Sequence, residues 1–347
     1  MNTLQRFKAV LLISMWAGLA HAQPSDSLAD GRVGRIEFQS INTPDMWQYA
    51  RRNLQNTRPQ TVTGDLLMPK VISGKVPALV IMHGSGGVEP FAYDVWAAKL
   101  NPAGAAVFVV DSYKPRGVDS TATSQNDGNV TIASQTADAL NALRVLATHP
   151  QIDPARIFVI GMSRGGNPAF YSAWPMFQAP VNTNGAKFAG HIPMYPGMCN
   201  IRYRADDQVK STAPIFFALA DRDREDWQDT AVCERYAKEL QALGNDVTIK
   251  EYKGTYHAWD GGNRPFRYVA SAHTAKPCDM ELQMTPVAGS GLGRNAKDLK
   301  ANRELKTFDD WTKTVNSCMT NARARIGGDG AKTDEVVADV LRFMGLQ

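Results

Sequence analysis

The sequence lacks any apolar run that could cross a bilayer: the stretch from Ala9 to Ala20 falls short of the roughly 20 residues a membrane helix needs, and no other stretch approaches that length. It also lacks basic runs and stripes, which argues against nucleic-acid binding, and acidic blocks, which argues against a solvating tail. Internal repeats are missing, so a solenoid is not expected. Cysteine is scarce, and Cys199, Cys233, Cys278 and Cys318 are too widely spaced for a zinc site. Charges nearly balance, with Lys+Arg 38 against Asp+Glu 34.

What is present begins with a leader. Arg6 and Lys8 precede the Ala9 to Ala20 run, and Ala20-His21-Ala22 stands before Gln23, the pattern of a secretory signal cleaved after Ala22. A secreted or periplasmic protein follows, with residues 23–347 forming a single domain and residues from about 262 to 330 an insertion in it. Removing Arg6 and Lys8 leaves 36 basic against 34 acidic residues. In an oxidising compartment an even cysteine count favours disulfides, and the expected pairs are Cys199 with Cys233 and Cys278 with Cys318. Four buried free thiols are the alternative.

Short apolar runs alternate with helical patterns along the chain. Pro77 to His83, Ala105 to Val110, Ile157 to Ile160 and Pro214 to Ala220 read as strands buried on both faces, and Asp246 to Tyr252 as an alternating one. Phe91 to Leu100, Thr136 to Leu146, Ala231 to Leu243 and Thr333 to Met344 read as helices. This order predicts an α/β fold with a mostly parallel central sheet and helices on both faces. Residues 262 to 330 show little periodicity, and Gly289 to Gly293 reads as a flexible loop.

The chemistry concentrates where the Ile157 strand runs into Gly161-Met-Ser-Arg-Gly165. This G-x-S-x-G spacing presents Ser163 on a strained turn, with glycines where neighbouring chain passes too close for a side chain. A helix starting there aims N–H groups at an oxyanion. His257, on the loop after the Asp246 strand, is the candidate base. Asp221, Asp223, Glu225 and Asp226 follow the strand ending at Ala220, and the distance from that strand end selects Asp223, with Asp226 the runner-up. A calcium loop is excluded, because its glycine and glutamate positions hold Asp226 and Val232.

Gly84 to Gly87 fails as a dinucleotide fingerprint because Glu89 stands where a third glycine is required. It suits an oxyanion loop instead, with the N–H groups of Ser85 and Arg164 as donors and His83 as a buttress. Arg116 is a candidate for binding a substrate carboxylate, or else for locking its own loop with Asp111. Trp227 and Trp259 flank the acid and base loops and are candidates for lining the substrate pocket.

With these residues in the order Ser, Asp, His, the chain resembles the α/β-hydrolases, and among them the dienelactone hydrolase family. The motifs that carry the resemblance are His83-Gly-Ser-Gly-Gly87, Asp111-Ser-Tyr-Lys-Pro-Arg-Gly117, Gly161-Met-Ser-Arg-Gly165, Asp226-Trp227 with Cys233, and Tyr252-Lys-Gly-Thr-Tyr-His-Ala258. The resemblance implies hydrolysis of a small carboxylic ester or lactone with no metal or organic cofactor. The best known members use a cysteine nucleophile, and Ser163 in that place favours a serine esterase. A prolyl-oligopeptidase-type peptidase shares the fold and residue order, and a non-catalytic binding protein on this fold would have lost one of the three residues.

Overall fold

The computed structural model describes residues 25–50, 52, 54–121, 130–181, 183–205, 209–287 and 291–346. The leader expected over residues 1–22 lies outside the described residues. Strands β1 (Gly34–Asn42), β2 (Arg58–Leu67), β3 (Val76–Met82), β4 (Ala106–Asp111), β5 (Ile152–Met162) and β6 (Gly190–Met194) are followed by β7 (Ile201–Ala205), β8 (Ile215–Ala220) and β9 (Val247–Tyr252). All but β7 join one sheet in the order β1-β2-β4-β3-β5-β6-β8-β9. The pairs β1/β2 and β2/β4 are antiparallel, and the rest are parallel. This is the α/β-hydrolase arrangement, and the apolar runs make its middle because parallel strands need cover on both faces.

The helices are α1 (Met46–Ala50), α2 (Ala98–Leu100, continuing a π-helical turn at Ala92–Ala97), α3 (Ile132–Leu146), α4 (Gly166–Tyr171), α5 (Pro175–Gln178), α6 (Asp223–Asp226), α7 (Thr230–Ala242), α8 (Phe308–Cys318) and α9 (Gly330–Phe343). Strand alternation sorts the core between them. Leu79, Ile81, Val107 and Ile160 pack with Trp96 and with Val336 and Val340 of α9. Their neighbours Ala78, Val80, Phe108 and Val159 point the other way, onto Leu140 and Leu143 of α3.

Beyond β9 the chain is more regular than its composition suggests. Strands β10 (Arg267–Thr274), β11 (Met280–Val287), β12 (Gly291–Asp298), β13 (Arg303–Leu305) and β14 (Thr320–Ile326) form two small sheets, a β10/β14 ribbon and a β13-β12-β11-β7 sheet. The loop expected at Gly289 to Gly293 is corrected in part: Gly291 already pairs with Val287 in β12, and residues 288–290 lie outside the described residues. The weak signal has a physical cause. In β14, Thr-Asn-Ala-Arg-Ala-Arg-Ile, alanines fill the sheltered positions, and β11 finds its parallel partner β7 far upstream. Disulfides join Cys199 to Cys233 and Cys278 to Cys318, the second closing the segment that carries β11, β12 and β13.

Candidate active site

Ser163 follows β5 directly and adopts a φ of 54°, a left-handed conformation that L-residues avoid. The turn is that tight because the chain folds back on itself. A Cβ on Gly161 would lie 1.8 Å from the Gly165 carbonyl oxygen, and one on Gly165 would lie 2.1 Å from that of Met82. Only glycine fits either place, so the two glycines are what permit the serine's geometry.

From there a hydrogen-bonded run leads into the protein. Ser163 Oγ lies 2.8 Å from His257 Nε2, and His257 Nδ1 lies 2.7 Å from Asp223 Oδ2. A carboxylate only accepts, so Nδ1 carries the proton and the Nε2 lone pair faces the serine hydroxyl. Asp223 is buried at 1% exposure, the third residue past the end of β8, where it opens α6. The loops that bear the acid and the histidine are laced together: Arg222 N–H donates to Thr255 O, and Thr255 N–H donates to Asp221 Oδ1. Tyr195 and Trp227 present ring edges or faces to the imidazole, with centroids 4.7 and 4.3 Å away.

His83 has a different part. Its Nδ1 donates to Gly84 O and its Nε2 accepts from Ser112 N–H, so both nitrogens are engaged and the ring is neutral. Burial pushes its pKa down, in keeping with that state. Behind the site, Asp260 is fully buried and accepts from Tyr195 Oη at 2.5 Å and Trp96 Nε1 at 2.9 Å; burial pushes its carboxyl pKa up.

A family model described as the dienelactone hydrolase family matches residues 62–280, the span that holds all of these residues. The chain belongs to the dienelactone hydrolase family. It is a carboxylic ester hydrolase, lactones being internal esters. A Bradyrhizobium protein described as a "probable 2-oxo-3-(5-oxofuran-2-ylidene)propanoate lactonase" is 25% identical over 197 residues, 54% of this chain and 75% of that one. Esterase 2 of Thermogutta terrifontis, solved with butyrate bound, has 17% identity and a TM-score of 0.45 over 57% of this chain and 80% of its own.

In this dienelactone hydrolase family member Ser163 and His257 open onto a cavity of about 570 Å³. Ser85, Arg164 and Trp227 are among the residues that line it. Two expectations need correction. Arg116 does not reach the cavity: its side chain, 1% exposed, is held by Asp138 in a forked ion pair at 2.8 and 2.9 Å and by Asn42, Ser112 and Ile41. It does lock its loop, but through Asp138 on α3 rather than Asp111, because only the fold brings that helix under the loop. Trp259 is likewise absent from the lining. At 0% exposure it packs between Tyr195 and Tyr252 in the core.

The β10/β14 ribbon supplies a wall that sequence reasoning missed. Arg267, Val269 and Ala272 of β10 and Ala324 and Ile326 of β14 face the cavity. Arg267 forms no ion pair with any described residue. The remaining acidic candidates have other partners: Arg325 of β14 engages the carboxylates of both Glu225 and Asp226, and Asp221 accepts from Thr255 N–H.

Proposed function

We propose that this protein is a serine esterase in which Ser163 is the nucleophile, His257 the general base and Asp223 the acid that orients it. The observation that carries the reading is the continuous run Ser163 Oγ, His257 Nε2 and Nδ1, Asp223 Oδ2, with bonds of 2.8 and 2.7 Å, opening on the cavity. As Ser163 Oγ attacks the carbonyl carbon, its proton passes to His257 Nε2. The C–O bond to the alcohol then breaks and His257 returns the proton to the leaving oxygen. A water, deprotonated by His257, releases the acid and restores Ser163. The N–H groups of Ser85 and Arg164 hold the oxyanion, and no step calls for a metal or organic cofactor.

The substrate we propose is a small ester or lactone that carries an acidic group. Arg267 offers a guanidinium with no ion-pair partner among the described residues, in a cavity wall otherwise made largely of Val269, Ala272, Ala324 and Ile326, and the name of the Bradyrhizobium relative also describes an anionic lactone. A panel of neutral and carboxylate-bearing p-nitrophenyl esters and a lactone, run on wild type and Ser163→Ala, tests both parts. Turnover should vanish in the variant, and equal turnover would refute the serine mechanism. Arg267→Met should raise KM for the anionic ester roughly tenfold, the order of one charged hydrogen bond, and leave the neutral ester unchanged.

We further propose that residues 1–22 are removed on export and that residues 23–347 work as one hydrolase domain carrying an insertion. Two disulfides among the described residues support an oxidising compartment. Mass analysis of the mature protein from the periplasm or medium should find Gln23 at its N-terminus.

A further inference from the structure

We propose that Arg325 is a positioning residue, a single guanidinium that holds the acid-bearing turn and the base-bearing loop at the separation their hydrogen bond needs. The inference rests on the assignment of Asp223 and His257 above. Those two residues stand on loops after different strands, β8 and β9, and a productive constellation must be kept within about 0.5 Å.

Arg325 reaches both loops at once. On the acid side its Nε donates to Asp226 Oδ2 at 2.6 Å and its Nη2 to Oδ1 at 3.0 Å, a forked pair reinforced by its own backbone N–H and by Glu225 Oε2. Asp226 ends the α6 turn that Asp223 opens. On the base side Nη1 donates to Tyr256 Oη at 2.8 Å, and Tyr256 immediately precedes His257. The next two residues continue the grip: Ile326 forms a parallel bridge with the His257 backbone, and Gly327 N–H donates to His257 O at 3.2 Å. The Arg325 and Asp226 side chains are only 22% and 19% exposed, so water screens this forked pair less than it screens an open surface bridge.

The contacts bind a segment outside the parallel sheet to both halves of the reacting apparatus. The same strand turns Ala324 and Ile326 toward the cavity, so the wall that meets the substrate is also the strut that sets the Asp223 to His257 distance. An arginine is required because a fork must satisfy one carboxylate while a third donor reaches a phenol; a lysine offers a point charge without that geometry.

The test uses the full chain with Arg325→Met, Arg325→Lys, Asp226→Asn and the Arg325→Met/Asp226→Asn double variant. With p-nitrophenyl acetate, kcat should fall roughly 10- to 100-fold in each single variant, lysine included, while KM stays within about threefold. The double variant should be no slower than Arg325→Met alone, because both changes remove one clamp. Independently of turnover, the low-field proton resonance of His257 Nδ1–H bonded to Asp223 should be sharp in wild type and in Ser163→Ala, and broadened or lost without the clamp. Wild-type kcat and an unchanged resonance in the variants, or additive losses in the double variant, would overturn the proposal. Should Arg325→Met fail to fold, the milder Asp226→Asn carries the same readouts. A wild type with no Ser163-dependent turnover would sink the esterase reading, and the resonance would still decide the role of Arg325.

Discussion

Asp223 and Asp226 stand three residues apart, and the structure gives them different partners: one meets His257 Nδ1, the other Arg325. Asp223→Asn removes the charge that stabilises the imidazolium and favours the wrong tautomer, so kcat should drop on the order of 10⁴ with little change in stability. Steady-state kinetics should therefore rank Asp223→Asn far below Asp226→Asn, and the reverse ranking would make Asp226 the acid. Arg116 separates binding from architecture in the same way. Arg116→Ala leaves Asp138 charged and buried, so denaturant melts should show a loss of about 3–5 kcal/mol, while KM for carboxylate esters in the surviving folded protein stays at the wild-type value. At Gly165 even one methyl group is too much, since its Cβ would sit 2.1 Å from a backbone oxygen.

Among the elements, the strands of the large sheet and the β10/β14 ribbon differ in how much of them the sequence reveals. Strand β3, Val-Pro-Ala-Leu-Val-Ile-Met, is buried throughout, and its composition states as much. Strand β10 is Arg-Tyr-Val-Ala-Ser-Ala-His-Thr, largely exposed, and its register shifts between Val269 and Ala272, which breaks the alternation a reader would look for. The ribbon holds together through its partner strand, and the Cys278–Cys318 bridge stands immediately before β14. That disulfide closes a sequence separation of 40 residues, and replacing both cysteines by serine should cost about 4 kcal/mol on the chain-entropy account. Because the ribbon walls the cavity, the pair of substitutions should also flatten the ratio of kcat/KM between short and long acyl esters. An unchanged ratio would show the wall to be held by other contacts.

Acid sensitivity is a property of the whole molecule. His191 lies on β6 with 0% exposure, its Nδ1 bonded to Ala169 O, and burial pushes its pKa down to about 3. In the unfolded chain a histidine titrates near about 6.5. Between those values the unfolded state binds a proton that the folded state refuses, so stability falls as pH drops from about 6.5 toward 3, by roughly 1.4 kcal/mol per pH unit for this group. His83 and His149 are shifted in the same direction, again chiefly by burial. Denaturant melts from pH 7 to pH 4 should show a shallower decline for His191→Gln than for wild type, even though the variant starts lower for want of a well-placed ring.

The sequence by itself determined the parallel sheet, the elbow at Ser163 and the order of the three polar residues, because each is written locally. A buried parallel strand needs an unbroken apolar run, a turn with φ of 54° needs glycines two residues either side, and the acid and base must follow strand ends. The count from the strand end also singled out Asp223 among four carboxylates, whereas tertiary structure alone decided where Arg116 and Trp259 go and that the β10/β14 ribbon walls the cavity. Those outcomes depend on contacts between segments distant in the chain: Arg116 with Asp138 on α3, Arg325 with Asp226 and Tyr256, β11 with β7. An arginine's charge is visible in one dimension, but its partner is whichever acid the packed helices and sheets bring within 3 Å.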